Sequence, residues 1–227
     1  MAEEVAKKRK KGRTPEEQSL DPAAREMLIR AEQLGLTTAF SRADAMAPCP
    51  IGSTGSCCHV CFMGPCRLVK DGQTGVCGAT IETITARNFA RAIAAGAAAH
   101  SDHGRDLALT LLAVAKGEAQ GYKIRDPFKL AKLAGELGIP TEGRPVEEIA
   151  LDVGQACLDM FGQQTGEVKL IERAPAKRKA IWRKYKMVPR GIDREVVDVL
   201  HRTHMGDDQD PEPILDHGMR AALADGW

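Results

Sequence analysis

The stretch from Cys49 to Cys77 reads CPIGSTGSCCHVCFMGPCRLVKDGQTGVC, and it holds six of the seven cysteines of the chain. These are Cys49, Cys57, Cys58, Cys61, Cys66 and Cys77. Glycine and proline recur through it, which is typical of a loop rather than of a long helix or strand. A loop so rich in thiols needs a further group to fold around. The candidates are disulfides, zinc and iron–sulfur clusters.

The composition of the whole chain favours helices and a reducing environment. Of the 227 residues, 43% are hydrophobic and only 4% aromatic, and alanine and leucine outnumber β-branched residues. The net charge of +1 gives no reason to expect nucleic acid or a membrane surface as a partner. No apolar run is long enough to span a bilayer, and the N-terminus lacks the apolar core of a secretory signal. We therefore predict a cytoplasmic protein, in which clustered cysteines bind metal or act in catalysis more often than they form disulfides.

The remaining sequence predicts an all-α fold with the cysteine loop, residues 49–78, as its irregular part. We expect a disordered basic tail over residues 1–20 and a helical domain over residues 21–227. Helix starts are marked by Asp21-Pro22, Asp126-Pro127, Pro145, Pro175, Gly191 and the prolines at 211 and 213. A long, largely apolar helix is predicted over residues 79–116, with Gly96 or Gly104 as the place where it breaks into two. The chain ends directly after an apolar helix, so we expect it to be the front part of a longer protein.

The cysteine spacing favours an iron–sulfur cluster over the other two candidates. Structural zinc sites usually combine two C-x2–4-C pairs, and only Cys58 and Cys61 form such a pair. A [4Fe–4S] cluster takes four thiolates in a glycine-rich loop, which Cys58, Cys61, Cys66 and Cys77 can supply. Gly64-Pro65 before Cys66, and the glycines on either side of Cys77, allow backbone amides to approach the sulfur atoms.

Cys49 and Cys57 are left over, and two interpretations stay open for them. They are either buried, inert cysteines or half of a second cluster site that a twofold dimer completes, because such an interface brings the same residues together from both subunits. Since Cys57 and Cys58 are adjacent, a shared cluster would lie close to the first one. The seventh cysteine, Cys157, has apolar neighbours on an amphipathic helix and is predicted to lie in the core.

Two pairs of histidines are spaced to share a helix face. His100 and His103 lie three residues apart in a mostly apolar helix, where they form either a polar patch or a path for protons. His201 and His204 have the same spacing at a predicted helix C-terminus, where imidazoles interact favourably with the helix dipole.

These motifs together resemble the N-terminal part of the nickel-containing, anaerobic carbon monoxide dehydrogenases. The resemblance extends from about residue 21 to the end, and the matching runs are CPIGSTGSCCHVCFMGPCR at 49–67, GVCGA at 75–79, ARNFARAIAAGAAAHSDHGR at 86–105, HRTHMG at 201–206 and ALADGW at 222–227. The family consists of homodimers with a helical N-terminal domain followed by two Rossmann-like domains. We expect those two domains to be absent from this chain.

The resemblance implies a role for each predicted site residue. Cys58, Cys61, Cys66 and Cys77 would bind one [4Fe–4S] cluster per subunit, and Cys49 with Cys57 would hold half of a cluster shared across the dimer. His100 would assist acid–base chemistry at the nickel site, and His103 would be next in the proton channel. Family members often continue this ladder with histidines, whereas here Asp106 and Leu109 follow.

The family's nickel–iron–sulfur cluster has its ligands beyond the helical domain, so this chain alone is expected to be inactive. The resemblance implies CO oxidation by the whole enzyme, with a ferredoxin-like electron acceptor and with acetyl-CoA synthase as a further candidate partner. Two alternatives stay open: a stand-alone iron–sulfur electron-transfer module, and an interaction module stabilised by zinc.

Overall fold

The computed structural model describes residues 12–46 and 49–225, which fall into two compact units that divide after Ser53. Most of the predicted tail, including the basic residues 7–11, lies outside the described residues. Within the predicted tail, Pro15–Gln18 forms a short helix, α1, none of whose residues is buried. No helix among the described residues is both long enough and apolar enough to cross a membrane.

The described part of the N-terminal unit consists of short helices. They are α1 Pro15–Gln18, α2 Pro22–Gln33, α3 Ala39–Ala45 and α4 Pro50–Ser53. Helix α2 begins where the sequence predicts, because the Asp21 side chain accepts a hydrogen bond from the amide of Ala23. The Nε atom of Arg13 lies 2.7 Å from Oδ1 of Asp44, an ion pair that ties the segment before α1 to α3.

The C-terminal unit is built around one long helix, α5, which runs from Ile81 to Ala115. It begins where the Thr80 side chain accepts a hydrogen bond from the amide of Thr83. The predicted break at Gly96 or Gly104 does not occur. A glycine costs only about 1 kcal/mol in a helix, and the surrounding alanines together with packing against several other helices outweigh that cost.

Small residues allow α9 and α10 to pack closely on the first half of α5. Helix α9 spans Ile192–Arg202 and α10 spans Pro211–Asp225. A Cβ atom on Gly218 of α10 would lie only 3.3 Å from Cβ of Ala90 on α5. Ala90 is fully buried in the cluster that these helices share with Val199 and Ile214.

A second core lies where α6 and α7 pack near the second half of α5. Helix α6 spans Pro127–Glu136 and α7 spans Val146–Gly162. The centre of this core is formed by Leu130, Ala134, Leu137, Ile149, Ala150, Val153, Met160 and Val168. Cys157 packs against this cluster, and burial raises the pKa of its thiol, as expected for a core cysteine.

The remaining elements complete the C-terminal unit. A short 3-10 helix, Lys169–Arg173, precedes α8, which spans Ala176–Lys184. Inside the cysteine loop two strands of two residues each, β1 Cys57–Cys58 and β2 Cys66–Arg67, pair antiparallel. The sequence did not predict these strands, which are too short for an alternating pattern. The fold is largely all-α, which confirms the predicted class.

A buried group of charges positions the connection between α9 and α10. Glu195 is 1% exposed and accepts hydrogen bonds from Arg190, whose Nη2 also lies 2.7 Å from Oδ2 of Asp198. Burial alone would raise the pKa of Asp198, but the hydrogen bond from Arg190 and the charges of His217, Arg190 and Arg202 lower it. This network ties the segment before α9 to α9 itself, and Arg202 at the end of α9 adds an ion pair with Asp208 in the segment that follows.

Candidate metal centre

Four of the predicted ligands line one pocket in the C-terminal unit. They are Cys58, Cys61, Cys66 and Cys77. The rest of the wall is formed by Val60, Gly75, Val76, Ala79, Ile84, Arg87 and Met205. All seven cysteines of the chain are free thiols in this structure. The structure therefore groups the four cysteines that the spacing assigned to one cluster.

The loop approaches itself closely around Cys66. The β1–β2 ladder places Cys66 opposite Cys58. A Cβ atom on Gly64 would lie 2.8 Å from the amide nitrogen of Cys66, and one on Gly75 would lie 3.3 Å from its Sγ atom. The amide of Val76 donates a hydrogen bond to the same Sγ atom at 3.4 Å. The glycines thus allow the contact between amide and sulfur that the sequence predicts.

The thiol of Cys77 has the strongest electrostatic support. Burial acts to raise its pKa, but hydrogen bonds from the Ala79 amide, the Arg87 side chain and the Gly206 amide, together with the charge of Arg87, lower the pKa to about 7. Because the thiolate is the form that binds metal, this environment prepares Cys77 to act as a ligand.

Arg87 is the unusual residue of the pocket. It is 1% exposed, and none of the ion pairs found among the described residues involves it. Its Nη1 atom lies 3.6 Å from Sγ of Cys77, Nη2 donates to the carbonyl of Asp208, and its buried Nε has no hydrogen-bond partner. A buried positive charge without a carboxylate is costly, so this site favours a negatively charged occupant.

The donor set fits a polynuclear cluster. Within residues 12–46 and 49–225, no three His, Cys, Asp or Glu side chains converge on a point that a single metal ion could occupy. The core of a [4Fe–4S] cluster balances only part of the four negative charges of its thiolate ligands. Four thiols around a pocket with a buried guanidinium are therefore suited to a [4Fe–4S] cluster.

The other two predicted ligands lie in different units. Cys57 is buried, and its Sγ atom lies 3.2 Å from Nε2 of His59. Its carbonyl accepts a hydrogen bond from the Asn88 side chain of α5 at 2.9 Å. Cys49 belongs to the N-terminal unit and is exposed. A shared site formed by Cys49 and Cys57 stays a prediction.

His100 and His103 both lie on α5 and are both exposed. The His100 side chain is 72% exposed, and its Nδ1 lies 3.1 Å from Oδ1 of Asp225 at the end of α10. The next positions on this face, Asp106 and Leu109, are exposed as well. The proton-path role of these residues stays a prediction.

The second histidine pair lies at a helix end, as expected. His201 is in the last turn of α9, and His204 follows the helix. The Nε2 atom of His201 lies 3.4 Å from Oδ2 of Asp207. Both histidines line an open surface hollow and not the pocket of the four cysteines.

Sequence reasoning missed Arg87, Gly206 and the contact of His59 with Cys57. Arg87 had a usable signal, because it falls three or four residues from Thr83, Ile84 and Ala90 on the buried face of α5. A charged residue on an apolar stripe predicts a specific partner. Gly206 had none, since its contact with Cys77 depends on how distant segments pack.

Residues 56–227 match the model of the Prismane/CO dehydrogenase family. The chain belongs to this family. Carbon monoxide dehydrogenase 1 of Methanosarcina mazei is 48% identical over 215 residues, which cover 93% of this chain and 34% of that protein. The chain thus spans about a third of the length of the curated relatives it matches.

Solved structures agree with the family assignment. A nickel-free carbon monoxide dehydrogenase from Thermococcus sp. AM4 superposes with a TM-score of 0.85 at 44% identity, over 98% of this chain and 36% of that one. An acetyl-CoA synthase/carbon monoxide dehydrogenase structure superposes with a TM-score of 0.83 at 37% identity, over 95% of this chain and 33% of that one. The helical fold described above is therefore that of the corresponding third of these family members.

Proposed function

We propose that this chain is the helical iron–sulfur part of a carbon monoxide dehydrogenase, an oxidoreductase that converts CO and water to CO2, two protons and two electrons. Its own share of the reaction is to carry electrons and protons. The ligands of the nickel–iron–sulfur cluster are expected in the C-terminal part of the whole enzyme. The chain alone is expected to show no CO oxidation.

The observation that carries this proposal is the charge of the cysteine pocket. Cys58, Cys61, Cys66 and Cys77 surround a space against which the buried, uncompensated guanidinium of Arg87 lies. An anionic [4Fe–4S] cluster would compensate this charge, whereas four neutral thiols would not. The bound cluster supplies one-electron transfer. The four cysteines would hold the cluster through sulfur, and the amides of Val76, Ala79 and Gly206 would donate to those sulfur atoms. The buried side chain of Ile84 would exclude water from its side of the pocket.

Cys49 and Cys57 would supply half of a second [4Fe–4S] cluster, which a second copy of the chain completes. Adjacent ligands at 57 and 58 would then place the two clusters near each other. The dimer would be part of the electron path, and its electrons would pass to a ferredoxin-like acceptor in the cytoplasm. The similarity to a complex with acetyl-CoA synthase supports that enzyme as a further partner.

His100 and His103 would move protons. Asp225 accepts a hydrogen bond from Nδ1 of His100 when that nitrogen is protonated, which leaves Nε2 as the base. Asp106, one helical turn beyond His103, can relay a proton as a carboxylate. Its place on the exposed face of α5 supports this role.

Purification without oxygen tests the first cluster. We expect brown protein with iron and sulfide, and loss of most of the [4Fe–4S] signal in Cys77→Ser. Cys157→Ala is the matched control, because it removes a thiol from the distant core and should leave the iron content unchanged. Colourless protein that contains zinc would refute the proposal and support the zinc-stabilised module.

A double variant, Cys49→Ser with Cys57→Ser, tests the shared cluster. Half a cubane is about two irons per chain, so the variant should lose that amount and keep about four. Size-exclusion chromatography should also show a weaker dimer. Unchanged iron content would contradict the shared site while leaving the first cluster in place.

A further inference from the structure

We propose that Arg87 raises the reduction potential of the cluster bound by Cys58, Cys61, Cys66 and Cys77, by holding a buried positive charge against the Sγ atom of Cys77. The inference rests on the proposed function, because it assumes that these cysteines bind a cluster. Arg87 would act through the ligand Cys77 and would not itself be a ligand.

Arg87 is held in place by groups on both sides of the pocket. Its Nη1 lies 3.6 Å from Sγ of Cys77, and its Nη2 donates to the carbonyl of Asp208. The side chain of Asp208 in turn lies 3.4 Å from Nη1 of Arg202. These contacts leave the guanidinium little freedom to turn away from the sulfur atom.

Gln209, which follows Asp208 in the chain, also contacts both Cys77 and α5. The Gln209 side chain donates to the carbonyl of Cys77 at 2.8 Å, and its own carbonyl accepts from Oγ1 of Thr83 at 2.7 Å. Thr83 lies one helical turn before Arg87 on α5. The connection between α9 and α10 thus fastens Cys77 and Arg87 to one another.

The four cysteines differ in the hydrogen-bond donors that contact their sulfur atoms. Cys77 receives a charged donor, Arg87, in addition to the amides of Ala79 and Gly206. Cys66 receives the neutral amide of Val76. The positive charge is therefore directed at one corner of the ligand set.

The direction of the effect follows from electrostatics. Reduction adds one electron and so makes the cluster more negative, while no bond or proton is transferred to Arg87. A positive charge that is 1% exposed is poorly screened and stabilises the reduced form more than the oxidised form. Removing it should make reduction harder.

The test is a redox titration of the loaded protein, followed by electron paramagnetic resonance. In Arg87→Gln we expect the equilibrium constant for reduction to fall at least tenfold, about 59 mV for one electron. Arg91→Gln is the matched control. Arg91 lies on the same helix, but its Nη1 contacts Oγ1 of Thr203 at 3.0 Å and not a cysteine. A shift in Arg87→Gln no larger than in Arg91→Gln, at equal iron content, would overturn the proposal.

A second measurement decides the matter if Arg87→Gln fails to fold. Wild-type protein labelled with 15N-arginine should show a 15N coupling to the reduced cluster in pulsed resonance spectra. Arg91→Lys should retain this coupling, and Arg87→Lys should lose it. Because lysine keeps the positive charge, the reduction potential of Arg87→Lys should lie nearer to the wild-type value than that of Arg87→Gln. Absence of coupling in the wild type would contradict the contact. Absence of any iron–sulfur signal would instead refute the proposed function.

Discussion

Gly64→Ala should loosen the hold of the loop on the proposed [4Fe–4S] cluster without unfolding the helical unit. A Cβ atom at position 64 would lie 2.8 Å from the amide nitrogen of Cys66, whereas ordinary contact begins at 3.4 Å. The neighbour is backbone and cannot rotate away, so Cys66 must move by about 0.6 Å. Overpacking of this kind costs about 1–3 kcal/mol.

This free-energy cost predicts how much faster the loop should release iron. If it falls on the closed loop, the population of the opened loop rises about 5- to 150-fold, at about 1.4 kcal/mol per factor of ten. Iron release to an excess of chelator under anaerobic conditions should accelerate by the same factor. The assay follows the loss of visible absorption over time.

Gly72→Ala in the same loop provides the control. Gly72 has a φ of +74° and open space around it, so alanine is strained there by about 1–2 kcal/mol but pushes on no cysteine. Both variants should lower the thermal stability, and only Gly64→Ala should release iron faster. Equal release rates in the two variants would refute the steric argument at Cys66.

Two further predictions concern the stability of the helical unit. Gly191→Ala places Cβ 2.0 Å from the carbonyl oxygen of Gln163 and should lower the free energy of unfolding by about 3 kcal/mol, whereas Gly135→Ala has open space in α6 and should raise it by up to about 1 kcal/mol. Denaturant unfolding measures both changes, and a Gly191→Ala variant as stable as the wild type would contradict the close contact between Gly191 and Gln163. Because folding lowers the pKa of Asp198, its contribution to the free energy of unfolding is present above its unfolded pKa of about 3.9 and is lost as the pH falls through the lower folded value. The free energy of unfolding should therefore decline from pH 5 to pH 2, and the decline should be shallower in Asp198→Asn.

Local signals were sufficient for most of the helices. The starts at Asp21-Pro22 and Asp126-Pro127 hold because the aspartate oxygens accept helix amides, which is a property of a few neighbouring residues. The break expected in α5 was wrong, because Gly96 and Gly104 were weighed by local propensity alone. Burial of the alanine face against α10 and α7 outweighs that preference, and such contacts join residues far apart in the chain.

The grouping of the four cysteines around one pocket was predictable from the sequence, but the charge beside them was not. Spacing alone grouped Cys58, Cys61, Cys66 and Cys77, since these residues lie within one loop. The approach of Arg87 and Gly206 to Cys77 requires α5 and the end of α9 to meet beside that loop. No period or motif encodes that meeting.

The unbroken course of α5 sets a geometric rule for the chain. Arg87 and His100 lie 13 residues apart on α5. At about 1.5 Å per residue, the helix keeps them roughly 20 Å apart along its axis. Inserting one residue between them would rotate His100 by about 100° relative to the cysteine pocket, while substitutions on the exposed side would leave the spacing unchanged. We therefore expect this segment to tolerate changes of residue far better than changes of length, because the helix fixes the distance between the cysteine pocket and His100.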